Sequence, residues 1–166
     1  MGKGPKAQKP QKLQSKEVAK NKKAFFDYEI LESLEAGISL LGSEVKAARA
    51  NKVNLKDSFV RIIKTEAFLF NAHFSALEHT NLHFRPDQRR IRKLLLHKKQ
   101  ITKLLGSVST QGLSIVPLSL YFNHKNKLKV QIALVRGKKL YDKRESLKKK
   151  QQLKDAQSAM KEALYK

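Results

Sequence analysis

Short alternations of apolar and polar residues near the start of the chain predict paired strands. Residues 26–30 alternate strictly, which is the period of a half-buried strand. The sequence Glu35-Ala36-Gly37 predicts a turn, and the apolar run at residues 38–41 predicts a second strand that pairs with the first. The chain therefore begins its folded part with β structure.

A short helix and a hairpin are predicted next. Residues 43–50 have helical spacing, with Ser43 as the N-cap, and Asn51 can end the helix in a left-handed conformation. Residues 58–63 and 66–74 are rich in β-branched and aromatic side chains, and Lys64-Thr65 between them predicts a hairpin turn.

The second half predicts one longer helix and a final pair of strands. Apolar residues recur at helical spacing through residues 88–105, and Gly106 is a natural stop. Of Leu94, Leu95 and Leu96, at least one must face outward. Residues 113–122 and 127–135 predict strands, and Pro117 within the first of them indicates an edge position or a bulge.

These elements predict a mainly β fold with helices. Six strands with one long and one short helix favour a six-stranded antiparallel barrel of the oligonucleotide-binding (OB-like) type with flanking α-helices. A β-sandwich has the same periodicity, so the pattern alone does not separate the two. Residues 1–21 predict a disordered basic arm, residues 22–139 the barrel domain, and residues 140–166 a basic tail whose thin apolar stripe becomes helical only against a partner.

The net charge limits the possible classes of function more than any single motif does. The chain has 166 residues and a formal net charge of +22, far beyond the magnitude of about 2–8 that solubility requires in a small domain. Such self-repulsion indicates a polyanionic partner. No apolar run is long enough to span a bilayer, no signal peptide is evident, and a membrane partner is not expected. The absence of cysteine excludes disulfides and thiolate metal sites.

A search for catalytic groups finds no convincing constellation. Glu35, Glu44 and Glu66 are carboxylates without a predicted acid/base partner, and only His79 and His83 have helix-like spacing, in what is predicted to be a loop. No phosphate-binding glycine loop or nucleophile elbow is present. We therefore expect a binding protein rather than an enzyme, without a cofactor or metal. Tyr121 and Phe122 are candidates for base stacking, although one of them should lie in the core.

Several short strings, taken in order, resemble the SmpB (small protein B) family, the tmRNA-binding or SsrA-binding proteins of bacteria. The resemblance runs from about Lys20 to the end of the chain. Its main strings are Asn-Lys-Lys-Ala at 21–24, Glu-Ala-Gly-Ile at 35–38, Glu-Val-Lys at 44–46, Glu-Ala-Phe-Leu at 66–69, Arg-Lys-Leu-Leu-Leu-His at 92–97, Val-Pro-Leu at 116–118, Leu-Tyr-Phe at 120–122, Gly-Lys-Lys at 137–139 and Tyr-Asp-Lys-Arg at 141–144.

Three features depart from the family pattern. Asn51 and Thr65 stand where the family usually has glycine, and the spacing from Pro86 to Lys93 is longer than usual.

The resemblance implies a function and a set of contact residues. Family members bind the tRNA-like domain of tmRNA and carry it to the A site of stalled ribosomes in the cytoplasm, where the C-terminal tail occupies the empty mRNA channel during trans-translation. The protein should act as a monomer. The RNA-binding residues implied by matched position or nearby charge are Lys22, Lys23, Glu35, Lys46, Arg92, Lys93, Leu95, His97 and Lys129. The implied decoding-centre and tail residues are Arg136, Lys138, Lys139, Tyr141, Asp142, Lys143, Arg144, Leu153, Met160 and Leu164.

Two other classes of protein remain as alternatives. A ribosomal protein is also small, basic and tailed, but it would bind ribosomal RNA constitutively. An RNA-modifying enzyme or nuclease would need reactive groups that the sequence does not display. Neither class accounts for the ordered strings.

Overall fold

Nine strands and four helices make up the part of the chain that the computed structural model describes, residues 16–77 and 86–164. The strands are β1 (Lys16–Lys20), β2 (Tyr28–Ile38), β3 (Val53–Asn54), β4 (Phe59–Ile63), β5 (Glu66–Phe70), β6 (His73–Phe74), β7 (Arg92–Leu95), β8 (Ser114–Phe122) and β9 (Leu128–Gly137). The helices are α1 (Lys22–Asp27), α2 (Gly42–Arg49), α3 (Lys98–Gln111) and α4 (Leu140–Leu164).

Strand pairing closes a ring. The antiparallel order β8-β4-β5-β7-β2-β9 returns to its start because β9 also pairs with β8, and β1 is added beside β8. Only β3 and β6 form a separate two-stranded sheet among the described residues. The predicted mainly β, six-stranded antiparallel architecture with flanking helices is therefore confirmed, and the ring differs from the two separate layers of a sandwich.

Two apolar clusters lie on the two sides of the ring. The inner cluster is built from alternate residues of the strands, among them Ala36, Leu69, Leu94, Leu120 and Ile132, and it also takes in Ala48 of α2 and Leu104 of α3. The outer cluster joins Ala24 of α1 to one end of β8 and β9, and its other members are Tyr28, Val116, Leu118, Ala133 and Val135. Helix α1 thus covers one end of the outer face and leaves the other end open.

Pro117 marks a bulge, as the sequence predicted. The register of β8 against β9 shifts between Pro117 and Ser119. Ile115 faces the inner cluster before the shift, and Leu120 and Phe122 face it afterwards, so the inward positions change from odd to even numbers. Tyr121 consequently points to the outer face, and the prediction that one of Tyr121 and Phe122 lies in the core is confirmed.

The predicted turn at Glu35-Ala36-Gly37 is wrong. This segment lies inside β2, which runs unbroken from Tyr28 to Ile38, because Glu35 pairs with Gln131 and Gly37 pairs with both Lys129 and Leu95. Strands pair with both edges of β2 here, so the backbone N–H and C=O groups of this segment are hydrogen-bonded although its local sequence resembles a turn.

The predicted helix over residues 88–105 is also misplaced. Arg92–Leu95 form β7 with alternating burial, and α3 begins only at Lys98. The helix then continues through Gly106, which the sequence predicted as its stop, and ends before Gly112, whose φ of 61° makes it a left-handed cap. β7 pairs with β2 and β5, and both of these strands are distant from it in the sequence. This pairing makes residues 92–95 a strand although the spacing of their leucines is helical.

Both termini are more structured than expected. Residues 16–20 of the predicted disordered arm form β1, and Asn21 is buried, where its side-chain oxygen accepts a hydrogen bond from Ala24 N at 3.1 Å and caps α1. Residues 1–15 lie outside the described residues. The tail forms the helix α4, which fits its content of strong helix formers and the Glu145–Lys149 pair one turn apart.

Smaller predictions on turns and caps have mixed outcomes. Asn51 is left-handed as predicted, with φ of 55°, and the hairpin at Lys64-Thr65 is present. Helix α2 begins at Gly42 rather than after Ser43, because Glu44 accepts a hydrogen bond from Leu41 N at 2.8 Å. The extra spacing between Pro86 and Lys93 lies partly in the loop that leads to β7.

Candidate nucleic-acid interface

The uncovered end of the outer face brings together residues that are far apart in the sequence. Lys129 of β9 lies between Tyr121 of β8 and Gly37 of β2, and Gly37 in turn lies beside Leu95 of β7. Glu35 is two residues from Gly37 and therefore projects on the same side. We call the surface formed by Glu35, Gly37, Leu95, Tyr121, Lys129 and Gln131 the open face.

Glu35 is held from two directions. The Tyr121 hydroxyl donates a hydrogen bond to Glu35 Oε2, and Lys129 Nζ lies 3.5 Å from Glu35 Oε1. Partial burial raises the pKa of Tyr121 to about 12, and the hydrogen bond to the Glu35 carboxylate contributes in the same direction. Tyr121 is therefore a permanent donor at neutral pH, and it fixes the position of the carboxylate.

Gly37 and Leu95 form the apolar part of the open face. Leu95 is 55% exposed, whereas its neighbour Leu94 is buried, so the prediction that one of the three leucines faces outward is confirmed. A Cβ atom at Gly37 would lie 3.1 Å from Leu95 Cβ, which is tighter than ordinary packing. Glycine at this position allows the leucine to lie flat against β2.

Lys93 and His97 border the open face at β7 and at the start of α3. Lys93 is exposed and pairs with Glu66 at 2.5 Å. His97 is exposed at the N-cap of α3, where its backbone N–H donates to Gln100 at 3.0 Å, so its ring is not needed for capping. Both side chains remain accessible to a phosphate.

Arg92 does not lie on this surface, and its predicted role as a phosphate contact is wrong. Its side chain has no exposed area and points into the ring, where it donates to Glu44 and to the carbonyl oxygens of Ala72, Gln88 and Arg90. Its guanidinium group also lies 4.1 Å from the centre of the Phe74 ring. Strand alternation turns Arg92 inward and Lys93 outward, so only Lys93 can meet a ligand.

The remaining predicted cations are divided between two places. Lys22 and Lys23 are exposed on α1, which covers the other end of the outer face, and Lys23 pairs with Asp57 at 2.6 Å. Lys46 is exposed in the last turn of α2, outside the strands that form the open face. The structure therefore groups Glu35, Leu95 and Lys129 directly, with Lys93 and His97 beside them.

The start of the tail is attached to α1 and β2. Arg136 lies 4.0 Å from Glu29, Lys143 lies 3.1 Å from Asp27, and Lys138 donates to Phe25 O at 3.3 Å. Lys139 and Arg144 are exposed.

Further along α4, Leu153 is 63% exposed and Met160 is 69% exposed. The side chains of Tyr141, Asp142 and Leu164 lie outside the described residues.

Sequence reasoning missed the partner of Glu35 and the place of Gly37. The sequence predicts Tyr121 only as a stacking or core residue, and Gly37 only as part of a turn. Pro117 was the signal in the sequence that could have placed Tyr121. A bulge at Pro117 shifts the alternation of inward and outward side chains along β8 by one residue, so Tyr121 faces outward.

Other kinds of site find no support in the described part of the chain. Residues 16–77 and 86–164 contain no group of three potential metal ligands, and His79 and His83 fall outside them. None of the described helices combines the length and the apolar character needed to cross a bilayer.

Comparisons with known proteins agree with the strings in the sequence. A family model described as SmpB protein matches residues 18–162. The SsrA-binding protein of Helicobacter hepaticus is 68% identical over 144 residues, which cover 87% of this chain and 93% of that protein. The SsrA-binding protein of Wolinella succinogenes is 64% identical over 147 residues, covering 89% of this chain and 97% of that protein.

A solved structure extends the likeness to three dimensions. A chain in "tmRNA-SmpB: a journey to the center of the bacterial ribosome" superposes with a TM-score of 0.62 at 47% identity, covering 74% of this chain and 85% of that one. The ring and most of the chain length are thus accounted for by one family. The chain belongs to the SmpB protein family.

Proposed function

We propose that this protein binds tmRNA through the open face and delivers it to stalled ribosomes for trans-translation. The observation that carries the proposal is the strand register, which gathers Glu35, Leu95 and Lys129, from three separate parts of the chain, on one accessible surface. Its family setting supports the choice of RNA, because the relatives are named SsrA-binding proteins and the solved neighbour is described with tmRNA and the ribosome.

A division of labour follows between the ring and the tail. The ring offers a rigid platform for the folded tRNA-like domain of tmRNA. Lys93 and His97 can contact phosphates beside the open face, and Lys22 and Lys23 can contact phosphates at the other end of the outer face. Such contacts supply affinity that falls with salt and contains little sequence information. The function is binding and delivery in the bacterial cytoplasm, and no chemical step is assigned to this chain.

The tail supplies the selectivity for stalled ribosomes. Helix α4 is 25 residues long, so it spans about 37 Å. It carries seven Lys and Arg residues against four acidic residues and keeps Leu153 and Met160 exposed, which suits a channel walled by RNA. Because mRNA and the tail would occupy the same channel, a ribosome that still carries downstream message excludes the tail. Only a ribosome that has run out of message accepts it.

Deletion of the residues after Arg144 tests this division. The truncated protein should bind tmRNA with nearly the affinity of the full chain, because the open face is untouched, and it should fail to support peptide tagging in a translation reaction stalled on a message without a stop codon. The full chain in the same reaction is the control. A large loss of tmRNA affinity on truncation, or tagging that survives it, would contradict the assignment of separate roles.

A further inference from the structure

We propose that Lys143 is not a contact to ribosomal RNA, and that it pairs with Asp27 to fix the direction in which helix α4 leaves the ring. Asp27 is then the positioning residue of the tail. We call the contacts of Lys138 and Lys143 with α1 the tail joint. The inference rests on the proposed function, because it concerns how the tail is directed into the mRNA channel.

The tail joint begins at the C-terminal end of α1. This helix has six residues and no basic residue in its last turn, so its last carbonyl oxygens have no cation from the helix itself. Lys138 supplies a donor and a cation to them. Its backbone N–H donates to Asp27 O at 3.0 Å, and its Nζ donates to Phe25 O at 3.3 Å. The chain that leaves β9 is therefore attached to α1 at two points.

Lys143 adds a third point of attachment. Helix α4 begins at Leu140, so Lys143 lies in its first turn, where its backbone N–H donates to Lys139 O at 3.2 Å. Its Nζ lies 3.1 Å from Asp27 Oδ1, and the two side chains are 31% and 22% exposed. Arg144 is about 100° further round the helix and is exposed. Helix geometry thus turns Lys143 toward α1 and Arg144 toward solvent.

The pairing of Lys143 is the reason for removing it from the RNA contacts. Its ammonium group is mostly covered and already has a carboxylate as its partner. If Lys143 left this pair to bind RNA, the Asp27 carboxylate would remain without a cation beside a surface that meets phosphates, and like charges repel. Lys139 and Arg144 are exposed on either side of Lys143 and can supply the charge that faces RNA.

The stability of the ring does not require this pair. Partly exposed ion pairs contribute little to folding. Among the described residues, the buried members of the inner cluster lie between Val18 and Leu134, before the tail begins. The Asp27–Lys143 pair therefore attaches α4 without holding the ring together.

A fixed start matters because α4 is long. Its 25 residues span about 37 Å. A tilt of about 10° at the start would move the far end by about 6 Å, which is more than the rise of one helical turn, about 5.4 Å. Attachment at three points defines a direction, whereas attachment at one point lets the helix swing. The pair thus affects where the tail points more than whether the protein folds.

Exchange of the two charges is the sharpest test. Asp27→Asn and Lys143→Gln should each lower peptide tagging on stalled ribosomes about fivefold, the ratio expected for loss of one partly exposed ion pair. The two substitutions together should lower tagging no further, because both remove the same contact.

The exchanged variant combines Asp27→Lys with Lys143→Asp and should recover most of the tagging, because it restores the pair with its signs reversed. The exchange also suits both helices, since it puts a cation at the C-terminus of α1 and an anion in the first turn of α4. A direct contact of Lys143 with RNA predicts the opposite result, because an acidic side chain there would repel phosphate.

Glu32→Gln is the matched control. Glu32 pairs with Lys103 at 2.6 Å, which joins β2 to α3 rather than to α4, so this variant should tag normally. All the variants should keep the tmRNA affinity and the melting temperature of the unaltered protein. The tail joint would be refuted by an exchanged variant that fails to recover tagging, by losses that add in the double variant, or by a loss of tagging that accompanies a lower melting temperature.

The results separate this inference from the proposed function. If the unaltered protein binds tmRNA but supports no tagging on stalled ribosomes, the proposed function fails. If it supports tagging and the exchanged variant does not, only the tail joint is refuted, and Lys143 is left as an RNA contact.

Discussion

Arg92 and Lys93 are adjacent cations with opposite roles. Arg92 lies inside the ring, where Glu44 accepts from its Nε at 2.9 Å and also from Arg90 Nη2 at 2.6 Å. Burial alone would raise the pKa of Glu44, but the hydrogen bonds from Arg90 and Leu41 N and the charges of both arginines outweigh it and hold the pKa below its usual value. This cluster joins α2 to β7 and so supports the strand that carries Lys93 and Leu95.

Glu44→Gln should destabilise the protein strongly. The substitution leaves the buried Arg92 without a counter-charge, which costs about 3–5 kcal/mol when one member of a buried pair is removed. The measurement is the free energy of unfolding from a denaturant titration at neutral pH. Because the Glu44 pKa is lowered on folding, the difference between the two proteins should shrink as pH falls through the Glu44 pKa and the native carboxylate is protonated.

Glu66→Gln is the control for this substitution. Glu66 pairs with Lys93, and both side chains are nearly half exposed, so its loss should cost about 0–1 kcal/mol. Equal losses of unfolding free energy in the two variants would show that the buried Glu44 cluster contributes no more to stability than the exposed Glu66–Lys93 pair.

At the scale of elements, local pairings were predictable and remote ones were not. The hairpins β4–β5 and β8–β9 join neighbours in sequence, and their strand periodicity and turn residues indicated both. Strands β1 and β7, in contrast, exist because distant strands pair with them. The composition around β1 predicted disorder, and the spacing of the apolar residues around β7 predicted a helix. The same reason explains the site. Glu35, Leu95 and Lys129 came from a family resemblance. The place of Tyr121 beside Glu35 depends on the bulge at Pro117, which the sequence predicted only as an alternative to an edge position.

The β4–β5 turn illustrates how an element can tolerate an unfavourable residue. Lys64 and Thr65 have φ values of 47° and 62°, so both lie in the left-handed region that a two-residue hairpin of type I′ requires. A β-branched residue there is strained. Thr65 therefore adopts the left-handed conformation although its side chain is β-branched.

Thr65→Gly should stabilise the protein by about 1 kcal/mol, the order of the penalty for a side chain in this conformation. Thermal unfolding would measure the change. The reciprocal substitution is Gly112→Ala at the end of α3, where φ is 61° and a Cβ would meet nothing within 4 Å. It should destabilise by a similar amount for the backbone reason alone. A destabilising Thr65→Gly would mean that the hydroxyl contact with Lys64 O matters more than the strain.

At the scale of the whole molecule, the positive charge is divided between the ring and helix α4, and the two are stabilised in different ways. The ring is held by its own inner cluster, while α4 is attached at its start, through Lys143 and Asp27, and then presents apolar side chains to solvent. An exposed apolar side chain adds little to the stability of the free protein, because little of its area is removed from water. The exposed apolar side chains of α4 therefore have a role only if they pack against a partner, and the proposed partner is the wall of the mRNA channel.

Replacing Leu153 and Met160 together by Gln tests that explanation. Gln retains good helix propensity and adds no charge, so the melting temperature of the free protein and its tmRNA affinity should stay unchanged. Peptide tagging on stalled ribosomes should fall severalfold or more, because these two residues lie seven positions apart and face the same side of α4. The matched control is Ser158→Gln on the opposite side of the helix, which should tag normally. Because Gln retains good helix propensity, a loss of tagging would indicate lost packing in the channel rather than failure to form the helix. Full tagging by the double variant would refute the role of the apolar stripe and leave the basic charge of the tail as the sole source of its binding.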